Sequence, residues 1–278
     1  MQQVHSADGT RIAWEAIGPT DAPGVLVVGG AFSTADAARP LAHALAGAGF
    51  RGVVLDRRAR GGSGDTRPYT PEREVEDLVA VAAVAGGVRA VLGHSSGAVL
   101  ALRAAAGGLD VEHLFLSEPP FAFDDSRSPQ APDLVERLQA HVDAGRPEEA
   151  VVLFQREAVG LPEEVIAQIR QAPMWPALVE VAQSTVHDAT ITGETPVPSP
   201  AMAAVTMPVT VLRGGRTWPF LVVATDRLAE LLPAGRLVVV PESQDHGLHP
   251  AGTAREVAAA LGGDGSRDGG RDVGRDVD

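Results

Sequence analysis

The chain has 278 residues, 45% of them hydrophobic, and a formal net charge of −13. That length supports one large core, or a core with an insertion, and the negative charge disfavours nucleic acid and anionic membranes as partners. There is no cysteine, and all 23 basic residues are arginine, which excludes disulfides, thiolate nucleophiles, Schiff bases, Ser-Lys pairs and a Walker lysine.

Residues 3–6 and 11–17 are short runs joined by Asp8-Gly9, a hairpin-turn signal. Residues 24–28 form a fully apolar strand that ends at Gly29-Gly30, with a helix over 35–48. Residues 52–55 are the next buried strand, ending at Asp56. Thr70, Pro71 and the acids Glu72 and Glu74 open a helix that runs to about Ala85. Strand 88–92, helix 96–106 and strand 113–117 follow. Continuous apolar strands alternating with helices predict a mostly parallel sheet covered on both faces. The alternation then breaks. Residues 119–207 read as helices only, over 133–144, 147–159, 162–171 and 176–188, separated by Pro and Gly. Strand logic resumes at 209–212 and 237–240, with helices at 221–232 and 253–261. The expected organisation is an α/β core from 1–118 and 208–261, with a helical lid from 119–207. The tail 262–278 carries five Asp and three Arg with almost nothing apolar, so it is expected to be disordered. No apolar run approaches the ~20 residues of a membrane span. The first residues have neither the basic region nor the apolar core of a signal peptide, so a soluble, cytoplasmic protein is expected.

The organising stretch is Gly93-His94-Ser95-Ser96-Gly97, between a strand and a helix. This G-x-S-x-G turn exposes a serine hydroxyl, and the helix behind it aims N–H groups at the same point. A serine needs a base, and the base needs an orienting carboxylate. In open α/β sheets such groups come from loops at the carboxyl ends of strands. After the last strand, His246 precedes a glycine in mid-loop and is the expected base. His249 abuts Pro250 at a helix start and reads as structural. The turn after the penultimate strand, 213–219, has no carboxylate, and Asp226 lies inside the following helix. One strand earlier, Glu118 stands at a strand end before two prolines. It is the expected acid, with a Ser-His dyad as the alternative. Asp245 or Asp188 would then be next in line. Ser96 and Ala31 are the expected oxyanion-hole N–H donors. The segment 56–65 lacks the lysine of a phosphate loop and reads as a structural charged loop.

These residues resemble α/β-hydrolase-fold enzymes, over nearly the whole chain up to about Leu261. They are similar to a subgroup of small bacterial α/β hydrolases. The shared elements are Gly29-Gly30-Ala31, the Asp-Arg-Arg-x-Arg-Gly loop from Asp56 to Thr66, the Gly93–Gly97 turn and Glu118-Pro119-Pro120-Phe121. The resemblance implies the α/β-hydrolase fold with its lid inserted before the last two strands. The usual His-Gly is replaced by Gly29-Gly30. The usual Asp after the penultimate strand is missing, which throws the acid onto Glu118. Some haloalkane dehalogenases of this fold also carry the acid after that earlier strand, but their nucleophile is Asp. With Ser95 in that place, dehalogenase and epoxide hydrolase readings fall.

The leading expectation is a serine hydrolase acting on a carboxylic ester, thioester or lactone. The same fold also hosts cofactor-free oxygenases, C–C bond hydrolases and lyases or cyclases, and a non-enzymatic binding protein is the third class. No cofactor or metal is expected. Phe32, His94, Trp175, Trp218 and Phe220 are the expected pocket residues, and a largely apolar pocket predicts a small-molecule substrate with an apolar, uncharged acyl group.

Overall fold

The computed structural model describes residues 1–262; the expectation for the tail lies outside them but for Gly262. Eight strands form one sheet: β1 (Gln2–His5), β2 (Arg11–Ile17), β3 (Gly24–Val28), β4 (Arg51–Leu55), β5 (Ala90–His94), β6 (His113–Ser117), β7 (Val209–Arg216) and β8 (Gly235–Gln244). Their order is β1-β2-β4-β3-β5-β6-β7-β8. β2 pairs antiparallel with β1 and β4, and the other pairs are parallel. β3 and β6 are buried along their whole length, as apolar runs in a sheet covered on both faces must be.

Helices α1 (Ala35–Gly47) and α11 (Pro250–Leu261) cover one face, around Leu41, Leu45, Val257 and Leu261. Helices α2 (Pro71–Val84), α3 (Ser96–Ala106) and α10 (Pro219–Leu231) cover the other, around Leu78, Val99, Leu102 and Leu228. Between β6 and β7 lie α4 (Leu134–Asp143), α5 (Pro147–Leu153), α6 (Glu163–Gln171), α7 (Trp175–Glu180), α8 (Gln183–Glu194) and α9 (Pro200–Ala203). α5 runs directly into a π-helical segment, Phe154–Val159. The inserted helices have cores of their own. Leu134, Leu138, Phe154 and Val186 form one, and Val151, Trp175 and Leu178 the other.

The structure differs from the expected elements in three places. Residues 176–188 are two helices, not one, and α8 continues to Glu194 through Thr190, Ile191 and Thr192. The β-branched residues are tolerated there because the Thr190 and Thr192 hydroxyls bond back to the carbonyls of Val186 and Asp188, at 2.8 and 2.9 Å. Short α9 carries no apolar periodicity. β7 and β8 outrun their apolar cores as a polar ribbon, pairing as far as Arg216 and Gln244. The stretch expected to turn after residue 212 is therefore strand up to Arg216.

The charged loop after β4 is buried. Arg57, Arg58 and Arg60 are among the largest fully buried side chains. Arg58 is held by Asp77 and Asp8, at 2.7 and 2.6 Å. Arg57 pairs with Glu74 at 2.7 Å and with Asp188 at 2.9 Å. Arg60 reaches the other Asp188 oxygen at 2.6 Å. Asp188 also accepts the Ser96 hydroxyl at 2.7 Å. One carboxylate on α8 thus ties the inserted helices to the loop after β4 and to the first residue of α3. Desolvation opposes the Glu74 charge, but Arg57 outweighs it and holds the pKa down to about 2. Removing one partner from a buried ion cluster leaves uncompensated charge. Asp188→Ala is expected to lower stability by about 3–5 kcal/mol, measured by urea unfolding. A loss below about 1 kcal/mol, the range of an exposed pair, would contradict this role.

Candidate active site

β5 ends at His94, and the chain turns at Ser95, with φ 54° and ψ −123°, into α3. A side chain at that φ is strained. The turn closes because its glycines lack a Cβ. One added to Gly93 would lie 2.4 Å from the Gly97 carbonyl oxygen, and one on Gly97 2.3 Å from that of Val28. β6 is followed by Glu118 at φ 46°, and β8 by Asp245 and His246 at 52° and 64°. Phe32, in the loop after β3, has φ 60°.

These turns bring the expected residues together. The His246 Nδ1–H donates to Glu118 Oε2 at 2.6 Å. The other Glu118 oxygen accepts the backbone N–H of Gly214 at 2.8 Å. Desolvation pushes the Glu118 pKa up, but the hydrogen bonds from His246 and Gly214 outweigh it and leave it below the ordinary value. Glu118 is therefore an anion facing the imidazole. His94 Nε2 donates to the His246 carbonyl at 3.0 Å. Desolvation, followed by the neighbouring His246, pulls the His94 pKa down to about 3. His94 is thus a neutral donor that fixes the loop after β8.

Ser95 and His246 line one cavity of about 310 Å³, together with Gly30, Ala31 and Ser96. No hydrogen bond joins Ser95 to His246 here, a bond that ordinarily tightens only with substrate in place. Ser96 is the first residue of α3, so its N–H has no partner within the helix. Its side chain points to Asp188.

The sequence and the fold match known proteins. Residues 25–261 match the family described as "Alpha/beta hydrolase family". An α/β hydrolase from Sphaerobacter thermophilus is 43% identical, over 93% of this chain and 99% of that one, with a TM-score of 0.86. The chain belongs to the alpha/beta hydrolase family. It is an enzyme of hydrolase type. A thermophilic esterase from Thermogutta terrifontis (22% identity, 94% and 96% coverage, TM-score 0.67) and an enol-lactonase from Burkholderia xenovorans LB400 (19%, 93% and 96%, 0.65) share the fold. No curated protein sequence matches.

The other candidate acids of this hydrolase are engaged elsewhere. Asp226 pairs with Arg213 at 2.6 Å, and Asp245 with Arg216 at 2.7 Å. Asp188 belongs to the buried arginine cluster. His249 accepts the Gly252 N–H at 3.0 Å and caps α11. Among the described residues, no group of three or more His, Asp or Glu is arranged to hold a metal ion. No described helix is long and apolar enough to cross a membrane.

Phe32, His94, Trp218 and Phe220 line the cavity as expected, whereas Trp175 does not. Trp175 packs into the inserted helices against Val151 and Leu178, while its neighbour Met174 faces the cavity. The lining is mostly apolar, with Phe154, Leu161, Ile169 and Leu178. It also holds two charged residues, Asp188, expected only as a reserve candidate for the acid, and Arg127, which the sequence does not single out. Arg127 stands in a Ser/Pro-rich connection, outside any amphipathic pattern that would mark it.

Gly30 fits the site tightly. An added Cβ would lie 2.9 Å from the Ser95 Cβ and 3.1 Å from the His94 carbonyl oxygen. Displacements of about 1 Å at reacting groups cost roughly 10²-fold in rate. Gly30→Ala is expected to reduce turnover on that scale while the thermal unfolding midpoint shifts little. Full activity in the variant would contradict the close approach of this loop to Ser95.

Proposed function

We propose that the protein is a serine hydrolase that cleaves a carboxylic ester, thioester or lactone with an apolar acyl group through an acyl-enzyme at Ser95. The observation that carries this reading is the 2.6 Å bond between His246 Nδ1 and the buried Glu118, beside a cavity that Ser95 shares. His246 takes the Ser95 proton as the hydroxyl attacks the carbonyl carbon. Glu118 stabilises the imidazolium and fixes its tautomer. The N–H groups of Ala31 and Ser96 hold the developing oxyanion, and a Phe32 side chain walls the pocket. His246 then protonates the leaving group, and water releases the acid from Ser95. Residues 119–207 serve as a lid that excludes water from the cavity. The esterase and enol-lactonase that share the fold act on substrates of this class, which agrees with the reading. We propose a cytoplasmic location.

Ser95→Ala is expected to abolish both ester hydrolysis and covalent labelling by a fluorophosphonate, with folding retained. Activity that survives in this variant would sink the acyl-enzyme. Wild-type protein that turns over substrate without fluorophosphonate labelling would favour a lyase, oxygenase or C–C hydrolase at the same site.

Glu118→Gln removes the charge that faces the imidazole while keeping the side-chain length. By analogy with neutralised triad acids, the expected loss in kcat is about 10²–10⁴-fold. His249→Ala is expected to cost less than about threefold, and to act through helix stability alone. The reverse ranking would move the base from His246 to His249.

A further inference from the structure

Arg127 is the one charged group of the cavity that the ion clusters above do not absorb. It follows β6, on the connection into the inserted helices, and lines the cavity with Ser95 and His246. Its Nη1 donates to the Pro120 carbonyl at 2.8 Å, and Nη2 to the Ala158 carbonyl. Its guanidinium lies 5.1 Å from the centre of the Phe220 ring. Among the described residues, no carboxylate pairs with it. By contrast, Arg57 and Arg60 share Glu74 and Asp188. Burial costs a guanidinium its hydration and pulls its pKa below the ordinary value, yet arginine keeps its proton. A half-buried cation in an apolar cavity, fixed by two carbonyls and short of a counter-charge, is a receptor for an anion.

Its place in the cavity says which end of the substrate carries that anion. The leaving group departs on the side of the residue that protonates it, His246. From His246 a row of neighbouring rings leads to Arg127. Trp218 is 5.1 Å away, and Phe220 a further 5.9 Å. Arg127 sits over Phe220, at the far end. One guanidinium matches one negative charge, and its remaining N–H donors form a planar fork.

We propose that the substrate's leaving group carries a carboxylate, which Arg127 binds at the end of the Trp218–Phe220 wall. This rests on the ester-class reading above and adds to it. The apolar lining then accommodates the acyl group and the body of the leaving group. In this reading the acyl group is uncharged, while the substrate as a whole is an anion.

The test compares 3-(4-acetoxyphenyl)propanoate with its methyl ester. Two methylenes insulate the phenol from the carboxyl group, so the pair differs in charge and hardly in intrinsic reactivity. Charge-assisted hydrogen bonds of this kind are worth about 10- to 100-fold, so wild-type kcat/KM is expected to favour the carboxylate by that factor, mainly through KM. In Arg127→Gln the ratio is expected to fall to about 1, and Arg127→Lys to retain part of it. The ratio is internal to each variant and does not depend on how much protein folds. A ratio near 1 in wild type, or one unchanged in Arg127→Gln, overturns the proposal. Tolyl hydrogen glutarate against tolyl methyl glutarate carries the charge on the acyl side and is expected to show no preference. A preference there overturns the assignment to the leaving group. Binding of 3-(4-hydroxyphenyl)propanoate and its methyl ester to Ser95→Ala protein, followed by tryptophan fluorescence, separates this proposal from the reading it rests on. Tighter carboxylate binding supports the anion site even where no acetyl ester is cleaved, a result that counts against the ester reading alone. Equal binding overturns the anion site.

Discussion

The site depends on strained turns at the ends of parallel strands. Ser95, Glu118 and His246 each stand just past a strand end with positive φ. For residues with a Cβ this costs about 1–3 kcal/mol each. The strain has a geometric cause. A side chain at the end of a strand continues the pleat, up or down across the sheet. Pointing it along the strand axis, toward the groups at neighbouring strand ends, requires the chain to turn at that residue. The sheet imposes this conformation through its register. Gly93 pairs with Leu116 and with Val28, which holds the ends of β3, β5 and β6 level. Ser95 N–H then bonds the Ser117 carbonyl at 2.9 Å, and Glu118 N–H that of Leu212 at 3.1 Å, so these two strained residues hang from the next strand.

The second constraint is electrostatic. A nucleophile turn that is open to a cavity must be backed by something other than solvent. Here the backing is a buried set of charges. Arg57 donates to the Gly29 carbonyl at 3.1 Å, and Arg60 to that of Gly30 at 2.8 Å. These are carbonyls of the loop after β3, which lines the cavity through Gly30 and Ala31. The same arginines meet Asp188, which holds Ser96. The ion cluster therefore holds both the loop after β3 and the first residue of α3, and it couples them to a helix of the insertion. All three basic residues of this loop segment are arginines. Each is planar, forked and shared between a carboxylate and a carbonyl, which a single ammonium would serve poorly.

Most of the sheet was legible in the sequence because buried parallel strands are continuous apolar runs. The placing of Ser95, Glu118 and His246 at strand ends was legible because strand ends leave Gly, Pro and polar residues at fixed places in the alternation. What the sequence hid has physical reasons. The lengths of β7 and β8 were missed because a polar ribbon pairs through its backbone, with no apolar period to show it. The burial of Arg57, Arg58 and Arg60 was missed because charge in a loop normally means solvent, and nothing local reveals that Asp8, Glu74 and Asp77 of α2, and Asp188 converge from three separate segments. Trp175 was assigned to the cavity on hydrophobicity alone. A helix of an insertion has two apolar neighbours, the cavity and its own core, and composition does not say which one a given face meets. Arg127 escaped for the opposite reason, being a charge outside any periodic element.

The carboxylate bonded to His246 comes from the end of β6 and not from β7. A carboxylate after the penultimate strand needs that strand to end early and turn its side chain toward the histidine. In this chain β7 instead runs on to Arg216 against β8, and Gly214 occupies the level where the turn would be. A Cβ at Gly214 would lie 3.2 Å from Glu118 Oε1 and 2.9 Å from the Ser243 carbonyl oxygen. The absence of a side chain there is thus part of the site: it lets the Glu118 carboxylate in from the neighbouring strand and presents a backbone N–H to it. A glutamate, one methylene longer than aspartate, spans the added distance. The longer side chain has more freedom to lose, and the two bonds to Glu118, from Gly214 and from His246, are what remove that freedom. Three features go together at this carboxylate: the glutamate at 118, the glycine at 214 that receives it, and a β7 that runs on to Arg216.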